Sequence, residues 1–438
     1  YSLVKSNDLK IKEQLKLAIE SHKNKKFQLA EKLYKQILIL NEDHLEANFQ
    51  LGTLYSQLQN FQLAKPLLEK AHKLRPKNPN INLHIGNLLM STGDPLEALN
   101  YFEKVIQVQP NFALAHFNKG ITLYNQKNYQ DAVSSLERVT EIEPNNINAY
   151  NVLGHILKEI GEFKKSLEYL KKSIKIDPNN LQVVNTLLNL LQSIKLSNLS
   201  ENNSSDLNEL FIFLFKKNSI DHNALFNNAK NLILFEETKN IVQQLLIKDE
   251  LLLNNHLVKK TLKNKLFYLV LQKALFRDNF LEKFLCYIRK EFLFLTKNKK
   301  KNENLLKEFQ DFLISFAEQS FLNEYLFFQS DEEIKIINDL KIEIEKDKNI
   351  NELYISILAC YLPLNTSKII INKLVKYTSK SNLFNDLVQI QIKDPILEHE
   401  LKSTINSLDN VSDSISKKVR DQYEENPYPR WRYATAVF

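Results

Sequence analysis

Glycine is almost absent from most of this 438-residue chain. The last of its six glycines is Gly161, and the 277 residues that follow contain none, where ordinary usage of ~7% gives roughly 19. Neither glycine nor proline occurs between Asn179 and Leu362. Phosphate cradles and dinucleotide turns need glycine, because backbone must approach the ligand closely. Cysteine is scarcer still. Cys286 and Cys360 each lie in an apolar run, which predicts two buried free thiols in a reducing, cytoplasmic setting. The nine histidines are dispersed, and no Cys or His pair has metal-ligand spacing. No nucleophile elbow or P-loop is present. Arginine is outnumbered 52 to 7 by lysine, although bidentate base and phosphate contacts favour arginine. The lysines are interspersed with 52 carboxylates, so they read as solvated helix faces, and no nucleic-acid partner is expected. No apolar run reaches the ~18 residues of a membrane helix. The first twenty residues mix Lys5, Lys10, Lys12 and Glu13 with leucines, unlike a secretory signal. Because the chain begins at Tyr1, a short upstream piece is expected.

The glycines that are present carry the main signal. Gly52, Gly86, Gly120 and Gly154 are spaced by 34 residues, and Pro76, Pro110, Pro144 and Pro178 repeat with the same period. Two independent markers in one period of this length define a helix-pair repeat. Twelve residues after each glycine stands a small residue, Ala64, Ala98, Ala132 or Ser166. The pattern predicts close approach of two helices where glycine faces that small residue. Leu51, Ile85 and Leu153, then Tyr55, Leu89, Leu123 and Leu157, fill the flanks, while Leu68, Phe102, Leu136 and Leu170 face inward from the second helix. Proline ends each second helix. Asn111, Asn145-Asn146 and Asn179-Asn180 read as turn and cap formers. A worn first repeat uses Ala18, Ala30 and Tyr34, and a helix near Leu181–Leu191 caps the stack. Lys127 reads as an exposed lysine whose replacement changes little. The repeats resemble the tetratricopeptide-repeat (TPR) family, which implies a superhelical solenoid whose concave face, lined by first helices, binds protein or peptide. In that register the groove candidates are Phe49, Thr53, Leu83, Asn87, Phe117, Asn118, Ile121, Tyr124, Asn151 and His155. Their asparagines suit an extended peptide backbone.

The expected organisation is all-α: a solenoid over 1–194, a linker at 195–206, an irregular helical domain over 207–415 and an extended segment from 416 to 438. Apolar spacing predicts helices in 207–215, 224–235, 241–257, 262–276 and 279–295, a polar break at 297–304, then helices at 305–328, 351–362 and 366–378. Ser330-Asp331-Glu332-Glu333 reads as a capping box. The aromatic stripe Phe309, Phe312, Phe316, Phe321, Tyr325, Phe327 and Phe328 reads as core.

The last nineteen residues hold the only tryptophan, Trp431, and three of the seven arginines. Pro427 and Pro429 forbid a continuous helix there. The run Ser416-Lys-Lys-Val-Arg-Asp-Gln-Tyr-Glu-Glu-Asn-Pro-Tyr-Pro-Arg-Trp-Arg-Tyr-Ala434 resembles the joining segment of bacterial TPR proteins fused to a class I S-adenosylmethionine-dependent methyltransferase. Phe321–Phe328, Leu358–Leu364 and Ile392–Pro395 are similar to that family's middle region. The resemblance implies junction residues Tyr423, Asn426, Pro427, Tyr428, Arg430 and Trp431. It also implies a transferase domain beyond Phe438, so the cofactor would bind there and none is expected in this chain. A stand-alone adaptor, or a fusion to a glycosyl- or sulfotransferase, is the alternative; a glycine-rich loop after a strand downstream would favour methyl transfer.

Overall fold

A computed structural model describes residues 2–194, 205–275 and 278–402. The expected linker at 195–206 falls almost wholly outside the described residues, and the 416–438 segment does so entirely. Every regular element among the described residues is helical. The chain divides into two compact units, Tyr1–Leu190 and Leu191–Phe438.

The first unit consists of five antiparallel helix pairs: α1 (Ser2–Lys23) with α2 (Phe27–Leu40), α3 (Leu45–Gln57) with α4 (Phe61–Leu74), α5 (Pro79–Thr92) with α6 (Pro95–Val108), α7 (Ala113–Asn125) with α8 (Tyr129–Ile142), and α9 (Ile147–Glu159) with α10 (Phe163–Ile176). A further helix, α11 (Leu181–Ser193), begins next. Each proline of the 34-residue period stands two residues past the end of a second helix, where its missing N–H and fixed φ stop propagation. First helices pack on one another (α1 on α3, α3 on α5, α5 on α7) more closely than second helices do. That crowding puts the first helices on the inside of the curve.

The glycines meet something other than the sequence pattern suggests. A Cβ built at Gly86 would lie 2.5 Å from the Phe102 ring, and one at Gly154 would lie 2.6 Å from Leu170. The occupant of the missing Cβ's space is therefore the large residue sixteen positions on. The small residue twelve positions on lies beside the glycine's backbone instead, and Ser166 Oγ donates to the Gly154 carbonyl at 2.6 Å. A second 34-residue ladder is invisible in composition because several residue types share it. Asn48 donates to the Glu42 carbonyl (2.8 Å), Asn82 to Pro76 (3.0 Å) and Tyr150 to Pro144 (3.0 Å), while His116 Nε2 pairs with the Pro110 carbonyl at 2.9 Å. Each ties the first helix to the turn six residues upstream. Asn146 and Asn180 cap as expected, whereas Asn111 instead accepts from Arg138 at 2.8 Å and the cap position falls to Phe112.

The turn within each pair ends on a left-handed residue: Lys25 (φ 59°), Gln59 (57°), Gly93 (88°), Lys127 (63°) and Gly161 (81°). Lys127 is thus not a neutral position. A side chain in this conformation costs ~1–2 kcal/mol, partly offset by the greater freedom that glycine has in the unfolded chain. Lys127→Gly is expected to stabilise the chain by about 1 kcal/mol. A thermal midpoint that stays put or falls would contradict this.

The second unit contains α12 (Ser205–Phe215), α13 (Phe226–Ile233), α14 (Glu236–Ile247), α15 (His256–Leu262), α16 (Lys265–Lys273), α17 (Asn279–Leu295), α18 (Lys299–Glu308), α19 (Gln310–Leu322), α20 (Asp331–Lys346), α21 (Glu352–Ala359), α22 (Lys368–Leu374), α23 (Asn382–Val388) and α24 (Asp394–Lys402). At its centre α19 is buried all round from Phe312 to Leu322, with α16, α21 and α23 packed against it. The apolar run 241–257 is not one helix: Asp249 turns left-handed (φ 52°) and separates α14 from α15. The basic stretch 297–304 is no break, because it winds through a short 3₁₀ turn into α18, which Leu306 anchors in the core. The aromatic helix expected over 305–328 stops at Leu322, where Glu324 (φ 56°) and Tyr325 (φ 59°) reverse the chain. The capping box forms between Ser330 and Glu333.

Candidate functional site

On the first helices, residues 31 apart meet across neighbouring pairs. Asn118 Nδ2 on α7 donates to Asn87 Oδ1 on α5 at 2.7 Å. The bond leaves Asn87 Nδ2 and Asn118 Oδ1 without a partner among the described residues. Side by side they offer one donor and one acceptor, the complement of a peptide unit. One step along, Tyr124 Oη lies 3.4 Å from His155 Nδ1 on α9, with the rings edge to face at 5.9 Å. Burial first, and then Glu159, raise the Tyr124 hydroxyl above its ordinary pKa, so it stays protonated near neutrality.

The other groove candidates divide. Phe49 is half-buried and meets His84 edge-on at 5.2 Å. Burial lowers the His84 pKa, which keeps that imidazole uncharged at neutral pH. Phe117 and Ile121 are half-buried. Leu83 belongs to the core of the first unit, and Thr53 is buried with its hydroxyl donating to the Phe49 carbonyl of its own helix at 2.9 Å. Asn151 is half-buried with Oδ1 enclosed and unpartnered. His155 is well exposed, and Glu159 stands 3.9 Å from it. The sequence pattern singled out neither His84 nor Glu159; four-residue spacing from His155 was the available signal for Glu159. Junction residues Tyr423, Asn426, Pro427, Tyr428, Arg430 and Trp431 lie outside the described residues.

The second unit holds a buried polar cluster. Arg289 on α17 is 1% exposed, stacks 4.0 Å over the Tyr361 ring, and donates to the carbonyls of Phe328 (2.6 Å) and Cys360 (3.3 Å). Tyr361 donates in turn to Glu333 at 2.8 Å. Cys360 is enclosed as expected, and burial pushes its thiol up to about 12. Cys286 is only half-buried and lines a neighbouring cleft, so it is not a core thiol. Most of the aromatic stripe is core, but Phe328 is 78% exposed. A cleft of about 740 Å³ in this unit is bordered by Lys260, Lys265, Glu236 and Glu237 and is lined by neither Cys nor His. Among the described residues no three His, Cys, Asp or Glu side chains converge as metal ligands, and no helix is long and apolar enough to cross a membrane.

Five stacked helix pairs in a 34-residue period, four of them with glycine under a large side chain at the crossing, make the first unit a tetratricopeptide-repeat solenoid. Tetratricopeptide-repeat models match residues 57–117, 89–156 and 147–180. No curated protein matches the chain. Similar solved structures include YrrB, described as a TPR protein with an unusual peptide-binding site, at 24% identity over 40% of this chain and 90% of that one, with a TM-score of 0.36. MamA from Desulfovibrio magneticus RS-1 is 19% identical over 39% and 97% of the two chains, with a TM-score of 0.37. TTC0263, a thermophilic TPR protein from Thermus thermophilus, is 16% identical over 41% and 98%, with a TM-score of 0.34.

Proposed function

We propose that the inner face of the solenoid is a scaffold for another protein, holding an extended stretch of it along the first helices. The observation that carries this reading is the Asn87–Asn118 pair, whose unused donor and acceptor suit a backbone amide whatever its side chain. Phe49, Phe117 and Tyr124 add half-buried aromatic surface on either side. The string Tyr423-Glu-Glu-Asn-Pro-Tyr-Pro-Arg-Trp431 supports a more specific role: presentation of that partner to an S-adenosylmethionine-dependent methyltransferase domain, to which the cofactor would belong.

The test replaces Asn87, Asn118 and Tyr124 together by alanine. Partner recovery from a lysate of the source cells is expected to fall at least tenfold, because two backbone bonds and an aromatic contact together contribute roughly 2–3 kcal/mol. Circular dichroism should be unchanged. Undiminished recovery by a folded variant would move the binding site off this face.

A further inference from the structure

The loop 323–330 groups large apolar side chains at the rim of a cleft. It holds Leu326 and Phe328 out of the core at 79% and 78% exposure, with Tyr287 of α17 44% exposed nearby. Several contacts hold the loop's backbone. Glu324 and Tyr325 turn left-handed in succession. Arg289 grips the Phe328 carbonyl at 2.6 Å, and Gln329 Nε2 donates to the Tyr361 carbonyl at 3.2 Å. Phe327, between the two exposed residues, is anchored edge-on against Phe316 at 5.4 Å. These side chains flank a cleft of about 470 Å³ between α17, the loop and the start of α20. Apolar side chains on a held loop beside a cleft mark an interaction site, because the loop's ordering entropy is lost before the partner arrives.

We propose that this cleft is the docking site of the chain's own segment Tyr423–Trp431. The cleft is lined by Lys283 and Lys290 along α17 and by Glu282 next to Lys283, while Glu333 at its edge is buried and already accepts from Ser330 and Tyr361. The segment carries Glu424-Glu425 first and Arg430 after, so its carboxylates find lysines in the cleft and its guanidinium finds Glu282. Between them stand Pro427 and Pro429, the residue type that favours the extended form which docks on aromatic-lined grooves. The tether is sufficient. Gln391, just before α24, donates to the Ala317 carbonyl at 3.1 Å, one residue from the Phe316 that anchors the loop. From Lys402 to Tyr423 the chain can extend roughly 70 Å.

Trp431 is the only tryptophan, so its fluorescence in the full chain reports docking directly. Its emission should be blue-shifted, and acrylamide quenching several-fold weaker than in urea. Replacing Leu326 and Phe328 together by serine should return both to the unfolded values with circular dichroism intact, whereas Leu96→Ser, at a solenoid position 71% exposed, should change neither. Independently, Trp431→Ala should speed alkylation of Cys286 several-fold, because the thiol lines the cleft, while enclosed Cys360 stays unreactive. The proposal is overturned by a Trp431 as accessible as in urea, by shielding that survives the loop substitutions, or by Cys286 reactivity indifferent to Trp431. Shielding lost on dilution would also overturn it, since the occupant would then be a second copy.

Discussion

Gly86→Leu is expected to destabilise the solenoid by about 3 kcal/mol, at the upper end of what overpacking costs. The first added atom would already lie 2.5 Å from the Phe102 ring, well inside contact distance. Phe102 is fully buried, so its ring has no free space to move into, and the two helices must separate. The better helix propensity of leucine returns only about 1 kcal/mol. A loss of this size lowers the thermal midpoint by roughly 6–12 °C in a unit of this length. Gly93→Leu supplies the comparison. Nothing lies within 4 Å of a Cβ there, but φ is +88°, so only the left-handed strain of ~1–2 kcal/mol applies. Equal midpoint shifts for the two variants would show that helix crossing does not depend on Gly86.

Arg289→Ala should be nearly as damaging to the second unit, at about 3 kcal/mol. Its removal takes the donors from the Phe328 and Cys360 carbonyls and empties the space above Tyr361. Relief from holding a guanidinium out of water offsets part of that loss. Arg289→Lys should recover little, because a single ammonium lacks the planar fork that reaches both carbonyls. Arg289→Met refills the volume and so isolates the hydrogen-bond share. Urea unfolding of the full chain measures all three; a loss under about 1 kcal/mol for the alanine variant would mean that the cluster contributes little to stability.

Position decided which parts of this fold were legible. The capping box at Ser330 and the helix ends before Pro76, Pro110, Pro144 and Pro178 depend on residues within one turn of each other, and the sequence pattern located them. Left-handed turns at Lys25, Gln59 and Lys127 have no signature in the sequence, because only glycine, as at Gly93 and Gly161, advertises that conformation. The carbonyl ties of Asn48, Asn82, His116 and Tyr150 were hidden by their differing chemistry.

By itself the sequence determined the repeat, its register and the residues that stand on the first helices, because a solenoid's contacts run between near neighbours and recur every 34 residues. Only the tertiary structure decided that the glycines make room for Leu68, Phe102, Leu136 and Leu170, and that Asn87 pairs with Asn118 while Thr53 bonds its own helix. It alone decided the second unit's interior. There Arg289 reaches the carbonyl of Cys360 across 71 positions and Gln391 that of Ala317 across 74. Contacts made once, between distant and unrelated residues, leave no period in the sequence.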